Sequence, residues 1–249
     1  MKNVTRKIRF AMMLCAASAA YAMPAHAQQA LSVHDPRPVA AMILELETRY
    51  SWQITYEDPP YASAADIEDV TARYARSPGG ARILVPKAGS LSVSGLAGAP
   101  RESATIAQML TSYNELAGAE AFRLVKEGEL YHVVPNKAHD ESGALRAAPS
   151  ILEAKIAVRP GQRTMYDLLD EMCNKVSRAS GMKVLLGTVP QSLLRNTSTT
   201  VGTAGRKETA RAVLDQMIAQ SGARLSWQLL YDPGDKFYAL NLHVVPEKI

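Results

Sequence analysis

Leu242-His243-Val244-Val245-Pro246 forms the end of the last predicted strand. The same His-Val-Val-Pro motif occurs near the middle of the chain, in Tyr131-His132-Val133-Val134-Pro135. Each copy follows an amphipathic helix and an aromatic strand, at residues 121–125 in one case and 226–230 in the other. A whole supersecondary unit is therefore duplicated. Two copies predict two related domains, because a solenoid needs more repeats than this.

Both units combine helical and strand periodicities. Apolar residues recur at helical spacing as Val39, Met42, Ile43, Leu46 and Tyr50 in the first unit, and as Met165, Leu168, Leu169, Met172 and Val176 in the second. Residues 52–56 alternate as in a strand, and hairpin turns are predicted at 127–129 and 232–235. The pattern predicts an α+β fold of two related small domains, each with amphipathic helices packed on a small mixed sheet.

Composition places the boundaries of these domains. The first unit is predicted at 28–136, with an irregular insertion at 58–80 that carries several turn signals. Residues 137–150 are polar and rich in small side chains, which is typical of a linker. The second unit follows at 151–249.

The first 27 residues have the pattern of a secretory signal peptide: basic residues, an apolar run at 10–22, and small-x-small sites ending at Ala22 and Ala27. We favour cleavage after Ala27, which predicts a periplasmic or secreted product. The four basic residues of this leader account for the whole formal charge of +4, so the mature chain is neutral and gives no electrostatic case for nucleic-acid binding. No later stretch predicts an integral membrane segment.

The sequence carries no recognisable catalytic or metal-binding signature. Only Cys173 remains after the leader, and its place at the edge of a helical apolar stripe favours a buried structural thiol. The histidines of the mature chain lack metal-ligand spacing; they are His34, His132, His139 and His243. We therefore predict no catalytic residue, no metal and no cofactor.

Several short motifs in the second unit resemble the short N-terminal domain shared by secretins and TonB-dependent receptors. They are Ile156-Ala157-Val158, Pro160-Gly161-Gln162, Asp167-Leu168-Leu169, Ser180-Gly181-Met182-Lys183-Val184, residues 210–214 and Ser221-Gly222-Ala223. The resemblance is looser in the first unit, where the insertion departs from it. It implies a small mixed α/β module that docks to other proteins in the periplasm. No receptor plug, barrel or secretin region follows in the chain, so signalling or secretion roles are not expected to transfer directly.

Two sets of residues are candidates for binding. Trp52, Tyr56 and Tyr61 crowd one region, where aromatic rings can stack on a sugar or anchor a peptide. His132 and His243 occupy equivalent strand positions, which predicts either two ordinary exposed residues on a sheet face or a shared docking surface.

These observations predict a non-catalytic protein-interaction module of the bacterial envelope, with an envelope protein as its partner. Binding is expected by strand addition at the edges 131–135 and 242–246, or in an aromatic-rimmed groove. Two alternatives stay open: a glycan- or peptidoglycan-binding module that uses Trp52, Tyr56 and Tyr61, and an envelope hydrolase built around Cys173. The sequence leaves the oligomeric state and the packing of the two units open.

Overall fold

The computed structural model describes residues 30–74, 82–96 and 100–247. The predicted signal peptide at 1–27 and part of the predicted insertion, residues 75–80, lie outside the described residues. The described part of the chain contains six α-helices and 16 strands. The predicted mixed α+β class is therefore confirmed.

Helices and strands are interspersed along the described residues. The helices are α1 (Pro38–Tyr50), α2 (Thr71–Tyr74), α3 (Glu102–Ala117), α4 (Met165–Ser180), α5 (Gln191–Asn196) and α6 (Ala210–Gln220). The strands are β1 (Leu31–Asp35), β2 (Ile54–Glu57), β3 (Ile67–Asp69), β4 (Leu84–Pro86), β5 (Gly89–Val93), β6 (Phe122–Glu127), β7 (Leu130–Pro135), β8 (Lys137–His139), β9 (Leu145–Ala147), β10 (Lys155–Ile156), β11 (Arg163–Thr164), β12 (Lys183–Leu186), β13 (Ser198–Thr199), β14 (Glu208–Thr209), β15 (Leu225–Asp232) and β16 (Phe237–Val244). Within the described ranges, none of these helices is both long and apolar enough to cross a membrane.

Six of the strands form one central sheet in the order β12-β16-β15-β2-β7-β6. In the first unit β2 is parallel to β7, which is antiparallel to β6. In the second unit β12 is parallel to β16, which is antiparallel to β15. Parallel pairing of β15 with β2 joins the units, since Gln228 lies opposite Tyr56 and Leu229 opposite Glu57. The two units thus share one sheet, which the repeat alone did not predict.

The helices of the two units cover opposite faces of this sheet. Ile54 and Tyr56 belong to the core that β2 forms with α1 and α3, whereas Trp227 and Leu229 belong to the core with α4 and α6. Laterally registered residues point to the same face of a sheet. Since Leu229 is registered with Glu57, on the face away from the first core, the two cores lie on opposite sides. The second unit is therefore related to the first by a half-turn about an axis that lies in the plane of the sheet and runs across the strands.

Local sequence signals explain the ends of α4. The Thr164 hydroxyl accepts a hydrogen bond from the Asp167 amide at 3.1 Å and donates to its carboxylate at 2.7 Å, which makes an N-terminal capping pair. Gly181 ends the helix with φ 74, a left-handed conformation that favours glycine.

Connections are more ordered than the sequence predicted. The predicted linker at 137–150 holds the hairpin β8–β9, and the connection between β12 and β13 contains α5. The predicted availability of 131–135 and 242–246 as sheet edges is wrong. β7 lies between β2 and β6, and β16 lies between β12 and β15. The free edges of the central sheet are instead β6 and β12.

Candidate functional site

The two repeated histidines lie where one unit meets the other. On β7, His132 Nδ1 is 2.7 Å from the Thr55 hydroxyl, and its Nε2 is 3.3 Å from the carboxylate of Asp215 on α6. On β16, His243 Nε2 is 2.6 Å from the carboxylate of Glu47 on α1. Each histidine therefore faces a carboxylate from a helix of the other unit. The predicted exposed sheet-face position is wrong for His132, which is fully buried; His243 is half-buried.

A buried ion-pair network lies beside His132 at the same junction. The Arg211 guanidinium of α6 donates to the Glu57 carboxylate of β2 at 2.9 and 3.1 Å and to Glu153 at 2.6 Å. The Ser150 hydroxyl donates to the other oxygen of Glu57. Burial raises the pKa of Glu57, and the charge of Arg211 opposes this rise. The network thus joins β2, α6 and the turn before β10, with Arg211 and Glu57 buried and Glu153 partly exposed.

Asp58 organises a second polar cluster at the end of β2. Its carboxylate accepts hydrogen bonds from the Tyr56 hydroxyl at 2.7 Å, the Tyr61 hydroxyl at 3.1 Å and the Arg37 side chain at 2.6 Å. The Tyr231 amide of β15 donates to it at 2.8 Å. Burial, followed by the charge of Asp58, raises the pKa of both tyrosines well above the ordinary value. Both hydroxyls therefore stay protonated as donors, which fixes the rings.

The predicted aromatic patch does not form a single platform. Trp52 stacks on Tyr50 with ring centroids 4.8 Å apart and packs against the first core. Tyr56 is fully buried, with its ring against Phe122. Of the three predicted residues, only Tyr61 lines an open cavity. The structure therefore separates the aromatic residues that the sequence placed together.

Tyr61 lies in a groove of the first unit with a volume of about 410 Å³. Prolines and aromatic rings make its apolar wall; they are Pro36, Pro38, Pro59, Pro60, Tyr61, Tyr113 and Phe122. Leu116 of α3 and Leu145 of β9 also line the groove, and 70% and 40% of their surface is exposed, respectively. The polar residues along it are Lys87, Lys137 and the pair His139 and Asp66, whose ring nitrogen and carboxylate are 2.9 Å apart. We call this site the Tyr61 groove.

Two candidate nucleophiles, Cys173 and Thr55, are poorly placed for catalysis. Cys173 is buried, and burial raises the pKa of its thiol to about 12, so no thiolate forms at neutral pH. Thr55, His132 and Asp215 have the order of a catalytic triad, but Thr55 is fully buried and cannot meet a substrate. This arrangement disfavours the hydrolase alternative.

Among the described residues, one group of three side chains is close enough to share a metal ion. The ligand atoms of Glu127, His132 and Asp215 lie within 4.8 Å of one another. Glu127 and Asp215 also line a second cavity, of about 730 Å³, at the junction of the units. The sequence predicted no metal and did not mark this group. Its members come from β6, β7 and α6, so no sequence spacing marks them.

Three comparisons with known proteins gave no match. The sequence matches no model of a known protein family. A search of curated proteins and a search of solved structures found no significant match either. The functional argument therefore rests on the geometry of the chain itself.

Proposed function

We propose that the chain is a non-catalytic protein-interaction module of the bacterial envelope, secreted to the periplasm, which binds an extended segment of a partner protein in the Tyr61 groove. The observation that carries this proposal is a concave apolar site bordered by two exposed leucines, Leu116 and Leu145. Exposed apolar surface around a pocket is typical of protein-binding sites. The leader and the resemblance to a periplasmic docking domain support the same function.

The chemistry of the groove defines the partner segment. Proline and aromatic walls favour apolar or proline-containing side chains as anchors. Lys87 adds positive charge along the groove, whereas Lys137 is paired with Glu120 at 3.3 Å and His139 with Asp66 at 2.9 Å. A segment with an apolar anchor next to an acidic residue fits this distribution best.

The groove is also held in shape before any partner arrives. The hydroxyl of Tyr61 is fixed by Asp58, which is in turn held by Arg37 and by the Tyr231 amide of the second unit. A site that is already ordered loses less conformational entropy on binding. The second unit thus contributes to the site by supporting its wall.

The alternative of glycan binding shares Tyr61 but lacks the predicted platform. Trp52 and Tyr56 are engaged elsewhere, so of the three predicted aromatic residues a sugar would meet only Tyr61 in the groove. The protein-binding proposal requires the exposed leucines instead, and this difference separates the two by experiment.

The test is in-cell photo-crosslinking from probes at Leu116 and Leu145, with matched probes at Leu185 and Val244 in the second unit. The two control residues are 40% and 51% exposed and belong to β12 and β16, away from the groove. We expect both groove probes to capture one and the same envelope protein and the controls to miss it. The purified partner should then bind the chain at least about tenfold less tightly after Leu116→Asp.

Two outcomes would contradict the proposal. One is capture of the same proteins from groove and control positions, and the other is an absence of adducts at the groove. Sugar binding that is lost in Tyr61→Ala but retained in Leu116→Asp would establish the glycan alternative in its place.

A further inference from the structure

The junction of the two units brings together Glu127 at the end of β6, His132 on β7 and Asp215 on α6. We propose that these three side chains bind a divalent transition-metal ion, with Zn²⁺ as the best fit. A neutral imidazole and two carboxylates form a ligand set that zinc accepts. This inference is independent of the Tyr61 groove.

The contact between His132 and Asp215 has the geometry of two ligands rather than of a hydrogen bond. His132 is fully buried, and its Nε2 has no hydrogen-bond partner. Both oxygens of the Asp215 carboxylate are also buried without a hydrogen bond. Nε2 lies 3.3 Å from the nearer of these oxygens. Ligand bonds of about 2.0–2.1 Å in tetrahedral zinc sites place neighbouring ligand atoms about 3.3–3.4 Å apart.

The surroundings of His132 orient it for this task. Its Nδ1 lies 2.7 Å from the Thr55 hydroxyl, which holds the ring and directs Nε2 toward Asp215. Metal-binding histidines are commonly fixed in this way through their second ring nitrogen. The unpartnered buried nitrogen and the oriented ring are observations separate from the proximity of the carboxylates.

The electrostatic balance favours a cation. The cavity wall carries Glu127, Glu129, Asp215 and Glu247 against the single guanidinium of Arg224. Arg211 also lies near, with its guanidinium 3.7 Å from Glu127, but it makes closer contacts to Glu57 and Glu153 at 2.9 and 2.6 Å. Glu127 is therefore not committed to Arg211 and can turn to an ion.

The open cavity gives an ion a route to the three ligands. Glu127 and Asp215 both line this space of about 730 Å³, and Glu127 has 44% of its side-chain surface exposed. A protein with three ligands from different elements gains stability when the ion binds, because the unfolded chain has no preformed site. A bound ion would thus tie the β6–β7 hairpin of the first unit to α6 of the second.

The test is titration of the tag-free chain with ZnCl₂, read by competition with a chromophoric chelator and by the thermal unfolding midpoint. We expect one equivalent of Zn²⁺ to bind and the unfolding midpoint to rise. Glu127→Gln and Asp215→Asn should each weaken binding at least about tenfold. Glu129→Gln, a neighbouring carboxylate of the same cavity outside the group of three, serves as the matched control and should bind as the parent does.

Glu127 is exposed, so its substitution tests the site without a risk to folding. An absence of stoichiometric Zn²⁺ binding would overturn the proposal. So would binding that Glu127→Gln and Asp215→Asn leave unchanged, or binding that Glu129→Gln weakens equally.

Discussion

The two copies of the His-Val-Val-Pro strand occupy equivalent places in the shared sheet, yet their histidines have different partners. His243 makes a 2.6 Å contact with Glu47, whose other oxygen accepts a hydrogen bond from the Ile54 amide. His132 faces Asp215 at 3.3 Å, and neither oxygen of Asp215 has a hydrogen bond. The His243–Glu47 pair is therefore held by hydrogen bonds, whereas the His132–Asp215 pair keeps buried atoms that have no hydrogen-bond partner.

The hairpins that carry these histidines also differ, in the length of their strands. Val125 is registered with His132 and Ser226 with His243, so these two residues are equivalent. From that point β6 ends at Glu127, where Gly128 makes the turn, whereas β15 continues to Asp232. The two residues of β15 that pair with β2 are Gln228, which is equivalent to Glu127, and Leu229, the first of the additional residues. The longer second hairpin therefore supplies part of the junction.

The largest effect is expected from Arg211→Ala. The substitution leaves Glu57 buried without its ion partner, and breaking a buried pair on one side costs about 3–5 kcal/mol of unfolding free energy. Urea unfolding followed by far-UV circular dichroism measures this loss. Adding Glu57→Gln should recover part of it, since the unpaired charge is then removed. A loss below about 1 kcal/mol would show that the junction does not depend on this pair.

The second prediction compares the two histidine pairs directly, in metal-free buffer. Glu47→Gln should destabilise the chain by about 1–3 kcal/mol, because it weakens two hydrogen bonds that the carboxylate accepts. Asp215→Asn should cost less than about 1 kcal/mol, because its oxygens accept none. Equal losses in urea unfolding would contradict the distinction between the two pairs.

Much of each unit could be predicted from its local sequence. The stripes of α1 and α4 are buried as their spacing predicted, and the turns at 127–129 and 232–235 connect the strands expected. These features depend on residues near one another in the chain. The repeat also places His132 and His243 at equivalent positions.

The site could be predicted less well, because it depends on how the units meet. Alternation along β16 correctly places His243 on the face away from the second core. Nothing in one unit shows that α6 of the other covers His132 or that β7 is an inner strand. Tyr61 was predicted as a binding residue because aromatic side chains favour binding sites, and it lines the groove. Leu116, Leu145 and Asp215 were not predicted. Long-range packing determines the exposure of the two leucines and the position of Asp215 beside His132.

The third prediction uses the equivalence of α1 and α4. Each helix is followed by a residue with a left-handed backbone conformation, Ser51 after α1 and Gly181 after α4. Counting back the same number of residues from each aligns Cys173 with Ile43, a core residue. Cys173→Ala should therefore cost only about 1 kcal/mol and leave partner crosslinking unchanged. Because burial raises the thiol pKa to about 12, the folded chain should also resist a thiol reagent at pH 8. Rapid labelling of the folded protein would revive the hydrolase alternative.

The smallest effect concerns the hairpin β8–β9, which carries Leu145 at the groove. The Asp140 carboxylate accepts hydrogen bonds from Ser142 and Ala144, which lower its pKa to about 2. A folded pKa below the ordinary value of 3.8 means that the charge stabilises the hairpin above about pH 4 and that this contribution is lost as the pH falls toward about 2.

Asp140→Asn should consequently speed amide hydrogen exchange in β9 at neutral pH and leave global unfolding unchanged. The difference from the parent should shrink as the pH approaches about 2, where the parent carboxylate is protonated too. Unchanged exchange in β9 at neutral pH would show that the carboxylate does not hold the hairpin.

One continuous sheet should make the two units a single cooperative structure, and the two tryptophans of the chain can report on each unit separately. Trp52 belongs to the first unit and Trp227 to the second. In Trp227→Phe, the fluorescence of Trp52 should follow the same urea transition as far-UV circular dichroism, and in Trp52→Phe so should that of Trp227. Coincident transitions are the predicted result. A first-unit transition separated from a second-unit transition would contradict the account.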